Sequence, residues 1–331
     1  MNFDTTPATR PPAIRVEELQ KQFADVRAVA GVSFEVQAGE TFGFLGPNGA
    51  GKSTTINMLC TLLRPTAGRA WVAGYDVVAE RDEVRREIGL VFQDLTLDGN
   101  LSGAQNLRFH GQLYGVPADQ LEVRMRQVLE LVGLWDKKDK DVITYSGGMK
   151  RRLEIARGLL HSPRVLFLDE PTIGLDPQTR ASIWEYLDEL RRQETLTIFL
   201  TTHYMDEAEH CDRIAIMDAG QIVALDTPRA LKAGIGTDRI RLVTADDGAA
   251  AAAIAERFGL EASATPDGLV LEVAEGEAFV PRLLADIGVA VTSVSVTRPS
   301  LDDVFMSYTG RTIRDAEGGA SDFAAMFRGR R

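Results

Sequence analysis

Residues Gly46-Pro47-Asn48-Gly49-Ala50-Gly51-Lys52-Ser53 form a glycine-rich loop of the pattern that cradles nucleotide phosphates. Glycines let successive backbone N–H groups turn inward around anionic oxygens without Cβ clashes, and a helix opening at the loop adds the partial positive charge of its N-terminus. In such a loop Lys52 reaches the β- and γ-phosphates and the Ser53 hydroxyl serves a magnesium ion, with Thr54 continuing the binding turn. A second constellation is Val165-Leu166-Phe167-Leu168-Asp169-Glu170, an apolar strand ending in two acids. Asp169 is placed to hold Mg²⁺ through water, and Glu170 to polarise an attacking water, a form of catalysis worth about 10²–10⁴-fold.

These side chains need a sheet with its loops at one rim. The apolar runs VSFEV (32–36) and TFGFL (41–45) predict strands, and a helix follows the glycine-rich loop from about Gly51 to Leu62. Residues 84–93, with EIGLVFQ, read as a further strand ending at Gln93, and from about 100 to 160 the pattern turns helical, with Leu121, Met125, Val128, Leu129 and Val132 at three- and four-residue spacing. Strands return at 164–169 and 196–202 around a helix near 178–192, a charged amphipathic helix read as a solvated surface. Residues 213–226 form a hairpin about Asp218-Ala219-Gly220. Alternating strands and helices predict a largely parallel α/β sheet with a helical insertion. Gly234 and Gly236 mark a break, and 238–310 then runs strand, helix, strand, strand, helix, strand, the order of a small ferredoxin-like α+β unit. The expected organisation is a tail over 1–13, a nucleotide-binding domain over 14–235, the α+β domain over 238–310 and a tail over 311–331.

The bulk properties narrow the function classes. With 331 residues, 44% of them hydrophobic, the chain can bury a large core. A net charge of −11 argues against a general nucleic-acid binder, whose footprint would be basic. Cys60 and Cys211 lie far apart without metal-ligand spacing, as in a reduced cytosolic protein, and His110, His161 and His210 make no ligand set. No apolar run reaches the about 20 residues a spanning helix needs, so service to a membrane would come through a partner.

Between the two nucleotide motifs lies Tyr145-Ser146-Gly147-Gly148-Met149, followed by Lys150, Arg151 and Arg152. In that position it resembles the signature of the ATP-binding cassette family, and the resemblance extends over roughly 14–235. It implies a RecA-like P-loop ATPase core with a helical subdomain at about 94–160. It also implies that Gln93 is the Q-loop glutamine sensing Mg²⁺, that Asp176 of Gly174-Leu175-Asp176 sits on the D-loop, and that His203 is the switch histidine at the γ-phosphate. Phe23 is similar to the aromatic that stacks on adenine. Tyr145 and Met149 depart from the commonest signature, Leu-Ser-Gly-Gly-Gln, yet leave the serine hydroxyl and glycine N–H groups in place, so hydrolysis is expected.

The family arrangement further implies a head-to-tail dimer with a second copy, in which Ser146, Gly147 and Gly148 of one chain meet the MgATP on Lys52 of the other. The segment around 94–115 would pass motion to a separate multi-span membrane subunit from the cytoplasmic face. The stretches 115–134, YSGGMKRRLEIARGLL, 203–218 and RPSLDDVFMSYTGR (298–311) are similar to exporters of the daunorubicin-resistance type, which move drugs, lipids or glycans outward. His203 stands where some of that group carry glutamine. The rival readings are a soluble cassette ATPase acting on ribosomes or DNA, a P-loop kinase or GTPase, and a non-hydrolysing module. One cassette without a heptad array, the Ser-Gly-Gly segment with Gln93 and His203, and the intact Lys52, Asp169 and Glu170 argue against them in turn.

Overall fold

The fold is described from a computed structural model that covers residues 11–193 and 196–310; most of the expected N-terminal tail and all of the expected tail over 311–331 lie outside the described residues. The chain divides into two units, the first ending at Leu225 and the second beginning at Asp226.

The first unit begins with β1 (Ile14–Phe23) and β2 (Val26–Val36), then β3 (Thr41–Leu45) and α1 (Lys52–Leu59). The chain continues through β4 (Ala67–Val72), β5 (Tyr75–Asp76), α2 (Arg81–Glu87) and β6 (Ile88–Val91). Three longer helices follow: α3 (Gly103–Leu113), α4 (Ala118–Leu131) and α5 (Gly147–Leu159). The last elements are β7 (Val165–Asp169), α6 (Pro177–Gln193), β8 (Thr197–Thr202), α7 (Met205–Ala208), β9 (Arg213–Asp218) and β10 (Gln221–Asp226).

Two sheets form. The larger has the order β10-β9-β3-β8-β7-β6, and its central neighbours β9, β3, β8, β7 and β6 run parallel. Its inner strands β3, β7 and β8 are buried along their whole length, which is why they read as continuous apolar runs. The smaller sheet, β2-β1-β4-β5, is antiparallel. A phenylalanine cluster joins the two: Phe34 of β2 stacks on Phe42 at 5.5 Å and meets Phe44 edge-on at 5.1 Å, while Phe199 lies 4.9 Å from Phe44. Emptying one such buried ring costs about 3–5 kcal/mol.

Two expectations need correction here. The strand expected over 84–93 spans only Ile88–Val91: Val84 to Glu87 belong to α2, and Gln93 lies exposed two residues beyond the strand's end. The physical reason is that the Phe92 carbonyl accepts a hydrogen bond from the Arg151 guanidinium instead of joining a strand ladder. The break expected at Gly234 and Gly236 falls at Gly236, where a helix, α8 (Pro228–Ile235), ends, while Gly234 lies within that helix. Thr227 caps it, its hydroxyl accepting from Ala230 N at 3.1 Å, and Pro228 occupies its first turn.

The second unit continues as β11 (Asp238–Thr244), α9 (Asp247–Phe258), β12 (Ala262–Thr265), β13 (Gly268–Val273), α10 (Gly276–Asp286), β14 (Val291–Thr297) and α11 (Leu301–Thr309). Its sheet order, β12-β13-β11-β14, is all antiparallel and is that of a ferredoxin-like unit. Ile240, Leu242, Leu269, Leu271, Ile254 and Leu283 form its separate core.

The helices of the first unit contain a pH-sensitive stack. The His110 ring on α3 lies 4.4 Å from Tyr114, which stacks at 4.3 Å on His161, whose Nε2 is 2.8 Å from Ile88 O. Burial, with Arg157 and His161 adding positive charge, pushes the His110 pKa down to about 3, and burial also lowers that of His161. The folded state therefore keeps His110 neutral while the unfolded chain protonates near the ordinary value of about 6.5. Its contribution is complete above that pH and is lost as pH falls toward 3, at no more than about 1.4 kcal/mol per unit. The melting temperature is expected to drop between pH 7 and pH 5, and His110→Phe, which keeps the stack, is expected to flatten that slope in thermal denaturation.

Candidate nucleotide site

The glycine-rich loop leaves β3 and enters α1, at the rim where β7 and β8 also end. Gly51 has φ +102°, and a Cβ there would stand 2.5 Å from Ala28 O, so no other residue fits this turn. Pro47, Ala50 and Gly46 are buried, whereas Asn48 and Gly49 face outward. Lys52 is only 4% exposed. Its Nζ donates to Gly46 O at 2.7 Å and Pro47 O at 3.1 Å, and lies 3.7 Å from Glu170 Oε1. Ser53 and Thr54 follow in the first turn of α1 and are partly exposed.

The Ser53 Oγ donates to Asp169 Oδ1 at 3.0 Å, bringing a hydroxyl and a carboxylate oxygen together beside the loop. Such a pair of oxygen donors suits Mg²⁺, which binds few protein ligands and favours oxygen. Burial pushes the Asp169 carboxyl above its ordinary range, against the opposing hydrogen bonds from Thr201 and Ser53. The Thr201 hydroxyl also accepts from Glu170 N at 3.1 Å, fixing the backbone where the chain leaves β7. Glu170 has φ +47°, uncommon for a residue with a side chain, and this turn carries it away from the strand direction.

His203 follows β8, with Nδ1 3.4 Å from Glu170 Oε1. Burial alone would raise the Glu170 pKa, but His203 and Lys52 outweigh it and hold the carboxyl below its ordinary value. Its second oxygen, Oε2, is buried with no hydrogen-bond partner among the described residues. The site thus gathers a cation, a hydroxyl, two carboxylates and an imidazole from three separate stretches of chain. It can hold a polyphosphate by its terminal groups and present a carboxylate to a water.

The other expected residues lie elsewhere. Ser146 caps α5, its Oγ accepting from Met149 N at 3.3 Å, and both Ser146 and Gly147 are exposed. Gly148 is buried, where a Cβ would come within 2.4 Å of Thr179 Cγ2. Tyr145 is anchored by its hydroxyl, which donates to Lys137 O at 2.7 Å. Asp176 is exposed and caps the start of α6, its carboxylate accepting from Thr179 N at 3.0 Å and Thr179 Oγ1 at 2.6 Å. Phe23, at the end of β1, is 46% exposed with Lys21 Nζ 5.0 Å from its ring centre.

Sequence reasoning missed three supports. Thr201 links Asp169 to Glu170 N. Tyr204 lies 4.1 Å from the His203 ring and beneath the Arg180 guanidinium at 4.0 Å, so the helix read as a solvated surface supports this site through Arg180. Glu207 is buried and accepts from the Thr172 hydroxyl, and burial raises its pKa. Glu207, between Asp206 and Ala208, and Thr201, between Leu200 and Thr202, carry no local signal of burial in the sequence.

No helix among the described residues is long and apolar enough to cross a membrane. The ABC transporter family profile matches residues 29–173, and a second, described as "ATP-binding protein DrrA1-3-like, C-terminal domain", matches 227–309. The daunorubicin resistance ATP-binding protein DrrA3 of Streptomyces coeruleorubidus is 42% identical over 312 residues, covering 92% of this chain and 98% of that protein. The linearmycin resistance ATP-binding protein LnrL of Bacillus subtilis is 38% identical over 91% of this chain and 100% of its own length. Among solved structures, cbiO1 of Clostridium perfringens, part of the cbiONQ ABC transporter complex, aligns with a TM-score of 0.63 at 31% identity over 67% of this chain and 91% of its own. The dimeric cassette MJ0796 bound to ADP and Pi aligns with a TM-score of 0.59 at 25% identity, over 65% and 98%. The chain belongs to the ABC transporter family and is one of its ATP-hydrolysing, nucleotide-binding subunits.

Proposed function

We propose that two copies of this chain close head-to-tail on two MgATP molecules and drive a drug, lipid or glycan outward through a separate multi-span membrane subunit, working at the cytoplasmic face. The observation that carries this reading is the division of labour within one chain. Lys52, Ser53, Asp169, Glu170 and His203 converge, while Ser146 and Gly147 lie exposed at the start of α5, free to serve a second chain. The export direction is supported by the DrrA-like match over 227–309 and by relatives named for resistance to daunorubicin and linearmycin or for Nod factor export.

In this reading the P-loop amides and Lys52 bind the β- and γ-phosphates, and the exposed Phe23 stacks on adenine. Mg²⁺ would be held by Ser53, by Asp169 through water and by Gln93, and would supply positive charge to offset that of the phosphates. Lys52 now sits near Glu170; once it turns to a phosphate, Glu170 loses one of the charges that depress its pKa and becomes a better base for the attacking water. His203 donates to the γ-phosphate and orients Glu170. Ser146, Gly147 and Gly148 of the second chain, with Asp176 at the interface, complete the cage. ATP then holds the two chains together, and hydrolysis releases them.

The test is an affinity purification of the full chain from detergent-solubilised membranes of its host, with mass spectrometry of what accompanies it. A multi-span membrane protein that stimulates ATP turnover on co-reconstitution is the expected result. Ribosomal or DNA-repair proteins with no integral membrane partner would keep the ATPase and overturn the transporter.

A further inference from the structure

Arg151 lies one turn into α5 and is 4% exposed. A guanidinium has five N–H donors, and here each one is used. Nε donates to Pro171 O, and Nη1 to Phe92 O and, at 3.1 Å, to Glu154 Oε2. Nη2 donates to Asp169 O at 3.2 Å and Glu170 O at 3.0 Å. The acceptors are thus the carbonyls of both site carboxylate residues, that of the next residue, and that of the residue just before Gln93.

Glu154, with 0% exposure, extends the network. Its Oε1 accepts from Thr96 N at 2.7 Å and Thr96 Oγ1 at 3.1 Å, while Arg157 Nη1 donates to Thr96 O at 3.0 Å. The short segment carrying Gln93 is therefore pinned at Phe92 and at Thr96 by the same face of α5, while Gln93 itself stays exposed. The opposite end of this hardware is the first turn of α5, with Ser146 as its cap.

We infer that Arg151 is a positioning residue that locks the Ser146 end of α5, the Gln93 segment and Glu170 into one mechanical unit. Engagement of Ser146 and Gly148 at the ATP of one site thereby sets the attitude of Glu170 and Gln93 at the other. The inference rests on the head-to-tail reading proposed above. A satisfied structural arginine would need only some acceptor for each donor. This one takes its acceptors from the two stretches that carry the water-activating and magnesium-sensing residues, and from the helix offered to the second chain. Lysine cannot replace it, because an ammonium has three donors at one point and cannot span carbonyls on two separate strand ends.

The test uses the full chain with Arg151→Lys, which retains a cation for Glu154, and Thr96→Val, which removes one hydroxyl from an exposed position. MgATP affinity, kcat, the Hill coefficient for ATP and the Mg²⁺ activation curve are measured per ATP-binding site, alongside thermal stability. Arg151→Lys is expected to lower kcat by about ten- to a hundredfold, the scale of a small misplacement of reacting groups, with MgATP affinity within about threefold and the Hill coefficient falling to about 1. Thr96→Val is expected to shift the Mg²⁺ activation curve and lower kcat severalfold, and it carries the test if Arg151→Lys does not fold. Unchanged kcat, Hill coefficient and Mg²⁺ curve per site, whatever the melting temperature does, would make these residues merely structural and overturn the inference. Failure of the dimer reading is recognised separately: Glu170→Gln with Arg151 intact would then stay monomeric in MgATP.

Discussion

Glu170→Gln is expected to stop ATP turnover, with kcat falling by about 10²–10⁴-fold, while MgATP binding is retained or strengthened. The substitution keeps the shape of a buried side chain whose backbone is already committed to φ +47° and held by Thr201. It removes only the charge, so the amide still fits between Lys52 and His203. Phosphate binding should tighten, because a carboxylate facing an incoming polyanion is gone. In the head-to-tail arrangement the uncleaved ATP then accumulates as a closed dimer. Phosphate release and size-exclusion chromatography in MgATP measure both effects. A variant that hydrolyses at the wild-type rate would remove Glu170 from catalysis, and one that stays monomeric at micromolar concentration would count against the dimer.

Lys52→Ala is expected to weaken ATP binding by about ten- to a hundredfold, since a hydrogen bond from a charged donor contributes about 1.5–3 kcal/mol. It should also cost stability. Lys52 and Glu170 are both nearly buried, and removing one partner of a buried pair costs about 3–5 kcal/mol when nothing else compensates. The gap of 3.7 Å and the nearby His203 place the loss toward the lower end of that range. The double variant Lys52→Ala/Glu170→Gln separates the two roles. It should recover much of the stability, because no unpaired carboxylate remains, but only the small part of the ATP affinity that removing the carboxylate's repulsion returns. Chemical denaturation and nucleotide titration of the four proteins give the coupling directly. Full recovery of ATP affinity in the double variant would show that Lys52 acts only by neutralising Glu170.

The nucleotide motifs were legible because each is local: eight adjacent residues specify the glycine-rich loop, and one apolar strand ending in two acids specifies Asp169 and Glu170. The ferredoxin-like unit was legible from its alternation of elements. What escaped depended on distant partners. The sheet β2-β1-β4-β5 pairs strands across irregular registers at Glu17 to Gln20, which no periodicity announces. The end of the strand before Gln93 was misplaced because an arginine 59 residues later claims the Phe92 carbonyl. Arg151 itself looked like one member of a basic run, Lys150-Arg151-Arg152, since its acceptors come from three separate places in the chain. Helix α8 carries local signals, the Thr227 cap and Pro228 in its first turn, with Gly236 as its stop.

Helices α8 and α11, the first and last elements of the second unit, pack against each other. The first and last described helices of the unit therefore meet, with its strands and its own core threaded between them. A domain whose ends meet can be gained, lost or exchanged as a block at a single junction, without cutting a strand or opening a core. In the language of gene assembly, residues Asp226 to Thr309 read as a self-contained cartridge that closes its own core between its first and last helices.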